Sequence, residues 1–183
     1  MSSTVTTRLA SAAARIVSAI VALTTLALTV GPVRPAFAAD PAPVPAADLE
    51  AMVLDLVNQA RIERGVAPLT LDPLMSEVAR EHAADMAANG ISHLGSDGST
   101  ARERLLRAGV RLTWNGENIW SYWDRRTPEL GPQTMHDAMM AEPLEPGNWN
   151  HIANILLPTY RRIGIGIVFA PNGVQYLSEE FAD

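Results

Sequence analysis

The chain contains no cysteine. Disulfide staples, a thiol nucleophile and a cysteine metal site are all excluded, so any metal must be held by histidine and carboxylate. Lysine is absent too, and all 14 basic residues are arginine. We read that as genomic base composition rather than function. There is no H-E-x-x-H, no G-x-S-x-G elbow and no glycine-rich phosphate loop, so the common local signatures of metalloproteases, serine hydrolases and nucleotide enzymes are missing. Aromatic residues are only 5% of the chain. Two of the four tryptophans nevertheless bracket one short stretch, W-N-G-E-N-I-W (114–120). It places Glu117 where an unpaired carboxylate is costly to bury.

No apolar run reaches the roughly 20 residues of a membrane span. Ile16 to Val30 is uncharged but shorter, and Pro32 and Pro35 close it. Arg8 and Arg15 precede it, and Ala36-Phe37-Ala38 follows as an A-x-A site. Residues 1–38 therefore read as a secretory signal peptide, cleaved after Ala38, which predicts a secreted protein with no stable membrane span. Cleavage removes three arginines and no acid, taking the net charge from −6 to about −9. Such acidity argues against nucleic acid and anionic membrane surfaces as partners. We take the protein as a monomer of one domain, since about 145 residues remain.

Residues 39–47 (A-D-P-A-P-V-P-A-A) read as a Pro/Ala linker, and 48–183 as the folded domain. Leu49, Val53, Leu56, Val57 and Ala60 have helical period, stopped by Gly65. Asp72 caps a second helix with Pro73 at its first position, ending near Asn89-Gly90. Ser99 or Thr100 opens a third, with Glu103 placed for a capping box and Gly109 as its stop. A further helical pattern surrounds Met135, Met139 and Met140, and a short helix runs from His151 to Leu156 under an Asn150 cap. Arg162–Phe169 and Val174–Phe181 read as strands joined by Pro171-Asn172-Gly173. Helices first and a late hairpin predict an α+β fold.

Four histidines are present. His82 and His136 lie on helical patterns and read as structural. His93 sits in a loop after a helix end. His151 lies in a helix first turn, where the dipole favours the neutral, metal-binding imidazole. Spacing alone makes no local metal motif of them.

Several segments occur together in order: N-Q-A-R-I-E-R-G-V-A-P-L (58–69), A-R-E-H-A-A-D-M (79–86), I-S-H (91–93) with D-G (97–98), G-E-N-I (116–119), H-I-A-N-I-L (151–156) and Y-R-R-I-G-I-G-I (160–167). The set resembles the bacterial secreted branch of the CAP superfamily (cysteine-rich secretory, antigen 5 and pathogenesis-related 1 proteins; the SCP domain) over about residues 48–182. The resemblance implies a three-layer α-β-α sandwich with a central, mainly antiparallel sheet and an open cleft. It also implies two histidines and two glutamates lining that cleft, often with zinc or another divalent cation. Carried over residue by residue, these are His93, Glu117, His151 and Glu142. Three departures stand out. Met139 replaces the usual helix tryptophan. The connection before His151 is expanded to E-P-L-E-P-G-N-W-N-H, which makes Glu145 a competing acid. The disulfides of animal and plant members are absent.

Gly116 is expected to let the backbone approach the site, Asn118 and Ile119 to anchor the strand, and Trp114 and Trp120 to shield Glu117. The carboxylates either touch a metal or orient the imidazoles by accepting their second N–H. Three functions remain open, and binding is favoured over catalysis. The first is an exported binding module for a lipid, sterol or peptide ligand. The second is a metal-dependent hydrolase of peptides or cell-envelope material, with Glu117 or Glu142 as general base. The third is a structural or host-interaction protein whose cleft residues merely hold the fold.

Overall fold

The computed structural model describes residues 44–145, 147 and 149–183; the expected signal peptide and all but the end of the expected linker lie outside them. The first helix, α1 (Ala46–Glu63), buries Leu49, Val53, Val57 and Ala60 at helical spacing. It starts two residues before Asp48, taking in the end of the expected linker, because Pro45 serves as its extended N-cap. Asp72 caps α2 (Pro73–Asn89), accepting from the backbone N–H of Leu74 and Met75. The third helix, α3 (Ala101–Arg107), carries the expected capping box: Thr100 accepts from Glu103 N–H while Glu103 accepts from Thr100 N–H. Helices α4 (Gly131–Met140) and α5 (His151–Leu156) follow, the latter capped by Asn150.

Four strands form one sheet: β1 (Thr70–Leu71), β2 (Asn115–Tyr122), β3 (Arg162–Phe169) and β4 (Gln175–Ala182), in the order β1-β3-β4-β2. The β3–β4 and β4–β2 pairs are antiparallel, and only the two-residue β1 runs parallel to β3. That strand has no periodicity to announce it. It exists because Thr70 and Asp72 donate to the carbonyls of Arg161 and Ile163.

The repeat R-I-G-I-G-I explains the layering. Residues alternate faces along a strand. Ile163, Ile165 and Ile167 join Leu49, Val53, Val57, Met135, Met139 and Ile155 in the larger core, so α1, α4 and α5 cover that face. The glycines face α2. A Cβ on Gly164 would lie 2.2 Å from the Met75 carbonyl carbon, and one on Gly166 2.2 Å from the Arg80 nitrogen. Glycine thus lets the α2 backbone rest on the sheet. Met75, Val78, Leu105, Val110 and Ala182 complete this second layer with α3. The result is the three-layer α-β-α sandwich.

Beyond β1, the outer edge of β3 is covered by side chains. Ile165 N–H donates to Ser76 Oγ and Ile167 N–H to Glu50 Oε1, while Arg80 grips Glu50 through both carboxylate oxygens. An edge so occupied does not invite another strand. At the opposite edge lies β2, which carries Glu117.

Candidate functional site

Glu117 and its neighbours in β2 point alternately to the two faces of the sheet. Gly116 and Asn118 meet α5, and Trp120 packs edge-on against the His151 ring at 5.6 Å between centroids. Glu117 points the other way, toward α2 and α3. Its side chain is 4% exposed and is held at both oxygens: His93 Nδ1 lies 2.6 Å from Oε2, and Arg104 donates to Oε1. Hydrogen bonding to Glu117 raises the pKa of His93, against the opposing effect of its own desolvation.

The loop carrying His93 is fixed by local chemistry. Asp85 accepts from Ser96 N–H, Asp97 accepts from Ser99 N–H, and Gly95 N–H donates to Ser99 C=O. Arg104 then reaches back from α3 and donates to the carbonyls of His93 and Ser99.

On the other face, His151 Nδ1 lies 2.5 Å from Glu142 Oε1, and its backbone N–H donates to Glu142 Oε2 at 2.9 Å. Glu142 is therefore the acid that holds His151, while Glu145 is exposed beside an apolar groove lined by Leu144, Trp149 and Leu157. Two asparagines join this pair to β2. Asn118 donates to Glu179 and to His151 C=O, and Asn154 donates to Asn118 Oδ1 and Glu117 C=O. Gly116 allows the approach, since a Cβ there would sit 2.6 Å from both Asn154 Oδ1 and Tyr160 Oη. Neither tryptophan shields Glu117 as expected. Trp120 points to the opposite face and packs edge-on against His151, while Trp114 precedes the strand and is 63% exposed.

The four expected residues thus form two imidazole–carboxylate pairs. In each, Nδ1 faces the acid, and Nε2 has no hydrogen bond among the described residues. Among those residues no three histidine, aspartate or glutamate side chains gather as they would around a metal ion.

Sequence reasoning missed a buried charge cluster behind Glu117. Glu180 stands opposite Glu117 in the β2–β4 register, is 0% exposed, and has no hydrogen bond at either oxygen. Arg104 Nη2 approaches it at 3.6 Å. His82, read as structural, is buried beside Glu117, its Nε2 3.4 Å from Oε1 without a hydrogen bond. Burial lowers the pKa of His82 and raises that of Glu180 well above the carboxylate range. Glu179, on the opposite face, is pushed up to about 7 by burial, with Asn118 pulling the other way. The available signal was S-E-E-F, two consecutive acids inside a strand that otherwise carries no charge.

A family model, the cysteine-rich secretory protein family (CAP), matches residues 54–181. Two Bacillus subtilis proteins are similar in sequence. The uncharacterized membrane protein YlbC is 30% identical over 120 residues, 64% of this chain and 31% of that protein. The uncharacterized protein YkwD is 29% identical over 128 residues, 69% of this chain and 45% of that one. The chain spans less than half the length of these curated relatives. An outer surface protein of Borrelia burgdorferi shares the fold with a TM-score of 0.65 at 15% identity, over 76% of this chain and 96% of that one. An extracellular protein of Bacillus anthracis containing an SCP domain superposes with a TM-score of 0.58 at 21% identity, over 77% and 44%. At these identities the structural likeness carries the fold alone. Because the family model covers most of the chain, including both imidazole–carboxylate pairs, the protein belongs to the cysteine-rich secretory protein (CAP) family.

Proposed function

We propose that the protein is an exported CAP-domain binding module whose His93/Glu117 and His151/Glu142 pairs offer imidazoles to a divalent cation such as zinc, beside a surface for a small apolar or peptide ligand. The observation that carries this reading is that both rings turn Nδ1 to a buried or half-buried carboxylate and leave Nε2 without a hydrogen bond among the described residues. Each spends Nδ1 on a carboxylate, which is how metal-ligating histidines are commonly held and made more basic. Of these pairs only the two Nε2 atoms, which have no hydrogen bond among the described residues, are left to meet an ion. Glu117 and Glu142 each have both oxygens engaged within the protein, so they serve as orienting groups rather than ligands. An ion held this way keeps open positions and supplies Lewis acidity there. The same occupancy weakens the hydrolase reading, since neither glutamate is a free base. Lipid, sterol and peptide remain the candidate ligand classes. The exposed Leu144 and Trp149 beside the His151 pair support an apolar contact.

The test is calorimetric titration of Zn²⁺ with melting curves in zinc and in EDTA. Wild type should bind and melt higher with zinc, and the His93→Ala/His151→Ala protein should do neither. Equal binding by both proteins would remove the site.

A further inference from the structure

An open groove of about 600 Å³ runs between α2 and residues 95–108, lined by neither His93 nor His151. Its α2 wall carries Glu77, Glu81 and Asp85. These stand four residues apart, so one helix face presents a row of carboxylates separated by about 6 Å of helix rise. Like charges at that spacing weaken a helix. No arginine of the groove is free to offset them. Arg107 is paired with Asp97 at 3.0 Å, and Arg104 with Glu117. Glu77 and Glu81 are exposed and make no ion pair or side-chain hydrogen bond among the described residues. The Asp85 carboxylate accepts only from the uncharged N–H groups of Ser96 and Asn89. His82 lines the same groove. It is 1% exposed, and neither ring nitrogen has a hydrogen bond among the described residues, so it lacks the partner that burial ordinarily demands.

The acids are strung along the wall rather than gathered. Among the described residues no three histidine, aspartate or glutamate side chains meet as they would around a metal ion. The groove therefore suits an elongated organic cation and not a point charge. Side chains on one face of an extended peptide recur at about 6.6 Å, close to the spacing of the acids. Leu74, which is 40% exposed, and Ala108 add apolar surface on which the hydrocarbon stems of basic side chains can lie. We propose that this groove binds a linear organic cation with two positive groups about 6 Å apart, as borne by alternate basic residues of an extended peptide or by a short diamine. Glu77 and Glu81 hold the two charges, and His82 accepts a hydrogen bond from the ligand. Asp85, one turn further along, extends the row to a third cationic group. The acidity of the chain draws such ligands toward the groove.

The test is calorimetric titration at low salt with EDTA present, so that the outcome does not depend on whether the outer imidazoles bind zinc. Three probes are used: the capped peptide Ala-Lys-Ala-Lys-Ala, its isomer Ala-Ala-Lys-Lys-Ala, and putrescine. Wild type should bind the alternating peptide severalfold more tightly than the isomer, whose lysines point to opposite faces. Glu77→Gln/Glu81→Gln should weaken binding by about tenfold, the worth of two exposed ion pairs. Each single substitution should weaken it severalfold, so the result does not hang on the paired variant folding. Glu63→Gln/Glu129→Gln removes the same charge from exposed acids outside the groove and should leave affinity nearly unchanged. The His82 ring resonances should shift as the probe binds wild type. Binding of the peptide alone would assign the site to a peptide, and binding of putrescine as tightly as the peptide would assign it to a small amine. The proposal is overturned if neither binds wild type or if the isomer binds as well as the alternating peptide. It is equally overturned if the Glu77 and Glu81 variants keep full affinity, if the Glu63/Glu129 variant loses as much, or if the His82 ring does not respond.

Discussion

At the residue scale, buried charge does most of the organising. Arg61 is 0% exposed, and burial lowers its pKa. Its guanidinium donates to the carbonyls of Ala67, Ile155, Leu157 and Tyr160, stitching α1 to the end of α5 and the turn that follows it. Arg61→Ala would orphan four acceptors and leave a cavity. Urea unfolding should show a loss of about 3 kcal/mol or more. Arg61→Lys should recover little of it, since an ammonium cannot reach four carbonyls at once. Glu179 gives the opposite sign. Its folded pKa of about 7 lies above the ordinary carboxylate value, so the folded state holds a proton that the unfolded state gives up. Stability from this group is full below about pH 4 and falls as pH rises toward 7. Glu179→Gln keeps an acceptor for Asn118 and removes that loss. It should stabilise the protein at pH 8 by up to roughly 3 kcal/mol and change little at pH 4. His82 contributes the reverse slope below about pH 6.5, since its lowered pKa makes folding oppose protonation. The wild-type minus Glu179→Gln difference, measured by denaturation across pH, cancels that contribution. A difference that does not grow with pH would refute the assignment.

At the element scale, the decisive contact is backbone on backbone. The faces of β3 are set by Ile–Gly alternation, and α2 lies where a Cβ would meet its main chain. Gly166→Ala has no flexible neighbour to displace and must move α2 itself. A cost of about 3 kcal/mol is expected from chemical denaturation, with His82 displaced in consequence. Stability unchanged in Gly166→Ala would mean that α2 sits further from the sheet. The α elements themselves were legible, because caps and periodicity are local: Asp72, Thr100 with Glu103, and Asn150 each close a helix start as their sequence positions foretold. The start of α1 and the existence of β1 were not. Pro45 at the N-cap and the pairing of Thr70 with the Arg161 carbonyl depend on what surrounds them.

At the scale of the whole molecule, acidity, the absence of cysteine and the leader-like first 38 residues set the expected behaviour. No helix among the described residues is long and apolar enough to cross a membrane. Expressed with its first 38 residues in an exporting bacterium, the protein should be recovered from the medium beginning at Ala39. Mass spectrometry of the intact chain decides this, and retention of residues 1–38 would sink the export reading.

The sequence alone determined the caps of α2, α3 and α5, the hairpin and the family, because each is written in neighbouring letters or in an ordered set of motifs. Only the tertiary structure decided the partners. It paired His93 with Glu117 and His151 with Glu142, and it turned the adjacent Glu179 and Glu180 to opposite faces. It also brought Arg104 and His82 to Glu117 from separate helices. Those contacts join residues tens of positions apart, through a sheet register and a helix approach that no local pattern encodes.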